Sequence, residues 1–304
     1  MARITVLDGG TGRELKRIGA PFRQPEWSAL ALIEAPQFVT RVHQAYVAAG
    51  ADVITTNSYA IVPFHIGGER FQSDGRALAE LAGRLARAVA DQAGRPVAVA
   101  GSLPPICGSY RAEWFDAAAA RPILATLVAA LNPYVDHWLA ETLSRIAEAE
   151  LVREVVGPAR DPGVKPLWLA FTLADGAGAS PPARLRSGEP VTDAVAAALR
   201  LGASAVLFNC SQPEVMGAAV DDARRVLQGA GAGVAGVWIG VYANAFAPLA
   251  AVPEANAELN AIRADVDPAG YFGWARDWVA RGANIIGGCC GIGPEHIAAL
   301  RAGL

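Results

Sequence analysis

Three cysteines carry most of the chemistry this sequence offers. Cys289 and Cys290 stand side by side in GGCCG (287–291), and Cys210 ends the apolar run AVLFNC (205–210). Thiolates are soft ligands, and three of them can hold Zn²⁺ in a tetrahedral site with a fourth position left for water or substrate. Adjacent residues on a strand point to opposite faces. The pair can therefore share a site only where the strand has ended and glycines let the chain turn. The competing reading is three ordinary buried thiols, because free cysteine is among the most buried residue types. A bridge between Cys289 and Cys290 is a further alternative, disfavoured by strain and by a reducing compartment. The fourth cysteine, Cys107 in LPPICGSY, has no partner motif and reads as a plain buried thiol.

The elements that must position these residues follow from hydrophobic periodicity. Short apolar runs at 4–10, 52–59, 96–105, 135–142, 166–173, 205–210, 237–244 and 284–290 read as strands. Amphipathic stretches at 36–49, 74–93, 114–131, 142–156, 189–201, 213–229, 268–281 and 294–302 separate them, with apolar residues at helical spacing, as in Leu78, Leu81, Leu85 and Val89. Near-continuous apolar strands alternating with helices indicate a parallel sheet covered on its faces, and eight such units match a (β/α)₈ TIM barrel. An open doubly wound sheet is the competitor, but GGTGRE is only a loose match to its phosphate-binding loop. No linker or repeat interrupts residues 1–304, so the reading is one domain.

Asp8, Asn57, Tyr59, Glu141, Cys210, Asn244, Cys289 and Cys290 all fall at the C-terminal ends of predicted strands. In a barrel those ends meet on the rim where active sites are built. The segments 174–188 and 245–267 are long rim-side loops, candidates for lids or substrate walls. Among the histidines, His296 in PEHI reads as a stabiliser of the first turn of the last helix, and His43, His65 and His137 have no motif around them.

Bulk properties exclude several classes. The chain has 304 residues, 53% of them hydrophobic, and a net charge of −3 without a basic run, so nucleic acid is not an expected partner. No apolar run reaches the roughly 18 residues of a membrane span, and MARITVLDGGTG lacks a signal-peptide pattern. Four cysteines in so long a chain suggest a reducing cytoplasm and not a secreted disulfide framework. The oligomeric state is not legible.

The motifs LDGGTGREL (7–15), PEWSALAL (25–32), AGADVITTNSY (49–59), LAET (139–142), NC (209–210), YAN (242–244) and GGCCGIGPEHI (287–297) together resemble the homocysteine S-methyltransferase family, in order and over nearly the whole chain. The resemblance implies a zinc-dependent transfer of a methyl group to the sulfur of homocysteine, giving methionine. It implies Cys210, Cys289 and Cys290 as the Zn²⁺ ligands. A chain of this length is similar to the stand-alone members, which use S-methylmethionine or S-adenosylmethionine and need no cobalamin domain. Asp8, Gly9 and Gly10 are then expected to bind the amino-acid part of homocysteine, with backbone N–H groups at its carboxylate and the acid at its ammonium. Glu141 is the second candidate for that ammonium, against a reading in which it caps a helix or pairs with an arginine. Trp27 and Tyr59 could present π-faces to the onium donor. Asn57, Asn209 and Asn244 are expected as hydrogen-bonding groups around the substrates. IGP (292–294) and SLPPICGSYR (102–111) depart from the family pattern on substrate loops. They leave open a betaine-type donor and another small thiol or selenol acceptor. A zinc-binding barrel without catalysis is the alternative of a different class. An aldolase would need a lysine at a strand's C-terminal end, and Lys165 lies at the opposite rim.

Overall fold

The computed structural model describes residues 3–159, 161–175, 182–231, 236–247 and 261–304. Its strands are β1 (Thr5–Val6), β2 (Val53–Thr55), β3 (Ala98–Leu103), β4 (His137–Leu143), β5 (Leu167–Phe171), β6 (Ala205–Asn209), β7 (Trp238–Tyr242) and β8 (Ile285–Ile286). All pair in parallel in the order β1-β8-β7-β6-β5-β4-β3-β2. A parallel bridge from Leu7 to Val53 brings β1 against β2 and closes the sheet. The architecture is the expected (β/α)₈ barrel.

Strand alternation separates two apolar layers. Leu7, Val53, Ala100, Leu139, Ala170, Leu207 and Ile285 fill the barrel interior. Val6, Ile54, Val99, Trp138, Phe171, Val206 and Ile286 belong to the larger layer beneath the helices. Burial on both faces is why each strand reads as a continuous apolar run instead of an alternating one.

The eight expected helices are present, at Pro36–Ala48, Gly68–Asp91, Ala117–Leu131, Ile146–Val156, Val191–Arg200, Pro213–Gly229, Pro268–Arg281 and Pro294–Gly303. Three short helices went unread in the sequence: Thr11–Arg17, Ser28–Glu34 and Pro63–Ile66. The first two lie between β1 and the helix at Pro36, and they bring Trp27 to the rim. β1, β2 and β8 are far shorter than their apolar runs suggested. At these ends the backbone leaves the ladder for polar partners, such as the Thr55 N–H that donates to the Asp8 carboxylate at 2.6 Å. No described helix is long and apolar enough to cross a membrane.

Candidate functional site

The C-terminal ends of the strands surround a cavity of 450 Å³. Cys210, Cys289 and Cys290 line one side, their sulfurs all within 4.8 Å of one another. β8 ends at Ile286, so the cysteine pair lies beyond the ladder, as the glycines foretold. Cys289 N–H donates to the Ala243 carbonyl at 2.9 Å, and the Cys290 carbonyl accepts from Ala245 N–H at 2.8 Å. Gly291, at φ 88°, then turns the chain back. Gly9 and Gly10 allow this loop to sit against the end of β1, because a side chain on either would strike the carbonyls of Ile292 or Cys289. Gly10 N–H is engaged by the Ile292 carbonyl at 3.0 Å, so it is not free for a substrate carboxylate, contrary to the expectation from sequence.

A tetrahedral zinc with ligands at about 2.3 Å holds its sulfurs roughly 3.8 Å apart, so the cluster is the right size and softness for that ion. Cys210 and Cys289 are joined as a disulfide with Cα atoms 5.7 Å apart, and Cys290 is free. The sequence raised only a bridge between neighbours. The observed pairing joins β6 to β8, because barrel closure places those ends together. Two sulfurs in a disulfide cannot act as thiolates, so metal binding requires reduction. Burial pushes the Cys290 thiol up to about 11, against the pull of the Arg13 guanidinium.

Two acids line the same cavity. Asp8 accepts from Thr55 N–H at 2.6 Å and from Thr55 Oγ at 2.9 Å. Glu141 accepts from Ser102 Oγ and from Tyr242 OH, the latter at 3.4 Å. Among the described residues it neither caps a helix nor meets an arginine. Burial pushes both carboxyls up to about 7, and the charge of Glu141 adds to the rise at Asp8. Desolvated acids aimed into a cavity without a cationic partner are poised to receive a ligand's cation.

The remaining predicted residues divide. Trp27 and Tyr59 line the cavity. A side chain at Gly12 would collide with the Trp27 indole, so glycine there makes room for it. Tyr59 OH shares a 2.6 Å hydrogen bond with Ser109 Oγ. Asn57 and Asn244 also line the cavity, but Asn57 Nδ2 donates to the Ser28 carbonyl at 3.1 Å and Asn244 Oδ1 accepts from Phe246 N–H at 3.1 Å. Asn209 does not line the cavity. Its amide is spent on Thr142, accepting from the N–H and donating to the hydroxyl, both at 3.0 Å. Cys107 is half-buried on a loop, not in the core. His296 behaves as read, its Nδ1 accepting from Gly293 N–H at 3.1 Å.

Sequence reasoning missed Thr55, Ser102 and Tyr242 as partners of the acids, and Asp175 and Arg186 as cavity residues. The last two belong to the loop 174–188, of which 176–181 lie outside the described residues; so do 248–260 of the loop 245–267. Loop length was the only signal for either wall.

Residues 5–304 match the homocysteine S-methyltransferase family. The homocysteine S-methyltransferase of Escherichia coli (strain K12) is 30% identical, over 98% of this chain and 94% of that protein. A selenocysteine Se-methyltransferase of Brassica oleracea var. italica is 26% identical, over 97% of this chain and 87% of that one. The crystal structure of the E. coli homocysteine methyltransferase MmuM in its metallated form superposes with a TM-score of 0.75 at 28% identity, covering 98% of this chain and 96% of that one. From the matched length, the motif order and the shared barrel, the chain belongs to the homocysteine S-methyltransferase family.

Proposed function

We propose that the protein transfers a methyl group from a sulfonium donor, S-methylmethionine or S-adenosylmethionine, to homocysteine, with Cys210, Cys289 and Cys290 holding Zn²⁺. The observation that carries this reading is one cavity lined both by three clustered sulfurs and by two raised carboxyls. Bound by the three thiolates, Zn²⁺ would supply a Lewis acid that lowers the pKa of an incoming thiol and releases its proton to solvent.

The chain's own residues do the rest. Asp8 and Glu141 receive the homocysteine ammonium, held in place by Thr55, Ser102 and Tyr242. Trp27, Tyr59 and Tyr242 enclose the positive sulfonium in π-faces and keep water away from the methyl group. A new sulfur–carbon bond forms as the donor's old one breaks, and the bonding pair stays on the departing sulfur, which leaves as a neutral thioether. No general acid is required, so catalysis reduces to aligning the three reacting atoms. The need for reduced cysteines fits a cytoplasmic setting.

The test is to reduce the protein, measure bound zinc, and assay homocysteine with S-methylmethionine, S-adenosylmethionine and betaine in parallel. About one zinc per chain and methionine from a sulfonium donor are expected. Metal-free reduced protein, or full activity after Cys290→Ala, would sink the reading. Activity with betaine alone would redirect the donor class.

A further inference from the structure

The cavity must seat two amino-acid-like molecules, and the acids facing Cys290 can satisfy only ammonium groups. A sulfonium amino acid also carries a carboxylate, which needs a cation. Among the described residues, the cavity is lined by two arginines, Arg111 and Arg186, and by no lysine. The two differ in what already balances them.

Arg186 is neutralised and fixed. Its Nη2 meets Asp175 Oδ1 at 2.8 Å with both side chains largely buried, and its Nε donates to Thr172 Oγ at 3.1 Å. The other Asp175 oxygen accepts from Gln212 N–H at 3.1 Å. The guanidinium lies over the Tyr110 ring, 4.5 Å from its centroid. Arg186 therefore acts as a brace for Tyr110, whose φ of 65° is a costly conformation for an aromatic residue.

Arg111, the next residue, is nearly unbalanced. Among the described residues its nearest carboxylate is the exposed Glu113 at 3.5 Å, too long for a strong bond. Its Nε is buried without an acceptor among the described residues, although the side chain is 22% exposed. The guanidinium rests on Trp114 at 4.8 Å, which holds it flat but cancels no charge.

We propose that Arg111, steadied by Trp114 and aimed by the braced Tyr110, binds the carboxylate of the methyl donor. Arg111 thereby selects sulfonium compounds that keep an α-amino-acid carboxylate. The inference rests on the sulfonium methyl transfer proposed above and assigns the donor end of that cavity. It also gives a use to SLPPICGSYR, the loop that departs from the family pattern.

The test compares S-methylmethionine with its decarboxylated analogue, (3-aminopropyl)dimethylsulfonium, at saturating homocysteine. The unaltered protein should prefer the carboxylate donor by about 10- to 100-fold in kcat/KM, the worth of one charge-assisted pair. In Arg111→Gln that preference should shrink to within about threefold, through donor KM and with homocysteine KM little changed. Arg111→Lys should keep part of it. Direct binding of each donor, read by calorimetry, should follow the same order. A preference that survives Arg111→Gln, or a rise confined to homocysteine KM, overturns the assignment. Should Arg111→Gln fail to fold, equal rates with both donors in the unaltered protein still refute it. Absence of methionine formation with any sulfonium instead refutes the function itself, and this inference with it.

Discussion

The two ends of the barrel are built by opposite rules. At the N-terminal end, polar residues just before alternate strands tie down the strand preceding them. Asp52 accepts from Val6 N–H at 3.0 Å, Asp136 from Val99 N–H at 2.7 Å, and Asn284 from Ile239 N–H at 3.0 Å, while Ser204 Oγ donates to the Leu167 carbonyl at 3.3 Å. Every pair of strands, β1–β2, β3–β4, β5–β6 and β7–β8, carries one such tie. At the C-terminal end, Asp8 and Glu141 have no cationic partner among the described residues. The four described non-glycine residues at positive φ, Trp27, Tyr110, Thr142 and Cys210, all line the cavity there. One end satisfies its backbone, and the other holds unsatisfied charge and left-handed backbone in place for use. Substitutions at the two ends should therefore move activity and stability in different directions.

Glu141→Gln should show the largest separation. In the proposed reaction Glu141 takes the substrate ammonium, so removing its charge should lower kcat/KM for homocysteine by about 10²- to 10³-fold. Stability should move the other way. The folded-state pKa of Glu141 lies above its unfolded value, so its contribution is fully present below about pH 4 and is lost as pH rises through about 7. The glutamine variant escapes that loss. Its unfolding free energy in urea should exceed that of the unaltered protein above pH 7, by on the order of 1–2 kcal/mol, and converge with it near pH 4. A variant that loses both activity and stability would contradict the contrast between the ends.

The same groups predict a pH profile. Asp8 and Glu141 bind an ammonium only as carboxylates, and burial raises both to about 7. In the unaltered protein, kcat/KM for homocysteine should climb about tenfold or more from pH 6 to a plateau above about pH 8, measured with zinc saturating. A flat profile would mean that the carboxyls are already ionised in the free protein.

Much of the C-terminal end was legible because its residues are chemically unusual. Cys210, Cys289, Cys290, Asp8 and Glu141 stood out at strand ends, and barrel closure alone gathers them. The partners that anchor the two acids were not legible. Ser102 and Thr55 are common strand residues, and only the pairing of β1 with β2 and of β3 with β4 shows which acid each meets. Asn209 looked like a site residue through its neighbour Cys210, yet a strand sends adjacent side chains to opposite faces, and its amide holds Thr142 instead. Arg111 sat beside recognised loop residues, but its lack of a counter-ion is a three-dimensional fact. The N-terminal ties were silent as well, since a lone aspartate before a strand reads as a solvated loop charge.

Those ties should rank by what each leaves behind when cut, which makes Asp136→Ala and Ser204→Ala a matched pair. Asp136→Ala strands the Val99 N–H, and it also removes the ion pair with Arg87 at 3.0 Å. An unpaired donor at a strand edge should cost about 1–3 kcal/mol. Ser204→Ala deletes a hydroxyl donor, but the Leu167 carbonyl still accepts from Ser204 N–H at 2.9 Å, so no backbone group is orphaned. That loss should stay below about 0.5 kcal/mol. Urea unfolding at a common slope measures both, and in neither variant should the KM for homocysteine or donor change below the transition. If the serine variant proved as unstable as the aspartate one, the ties would act through packing at the strand starts and not through satisfied backbone groups. The division between the two ends would then rest on the C-terminal side alone.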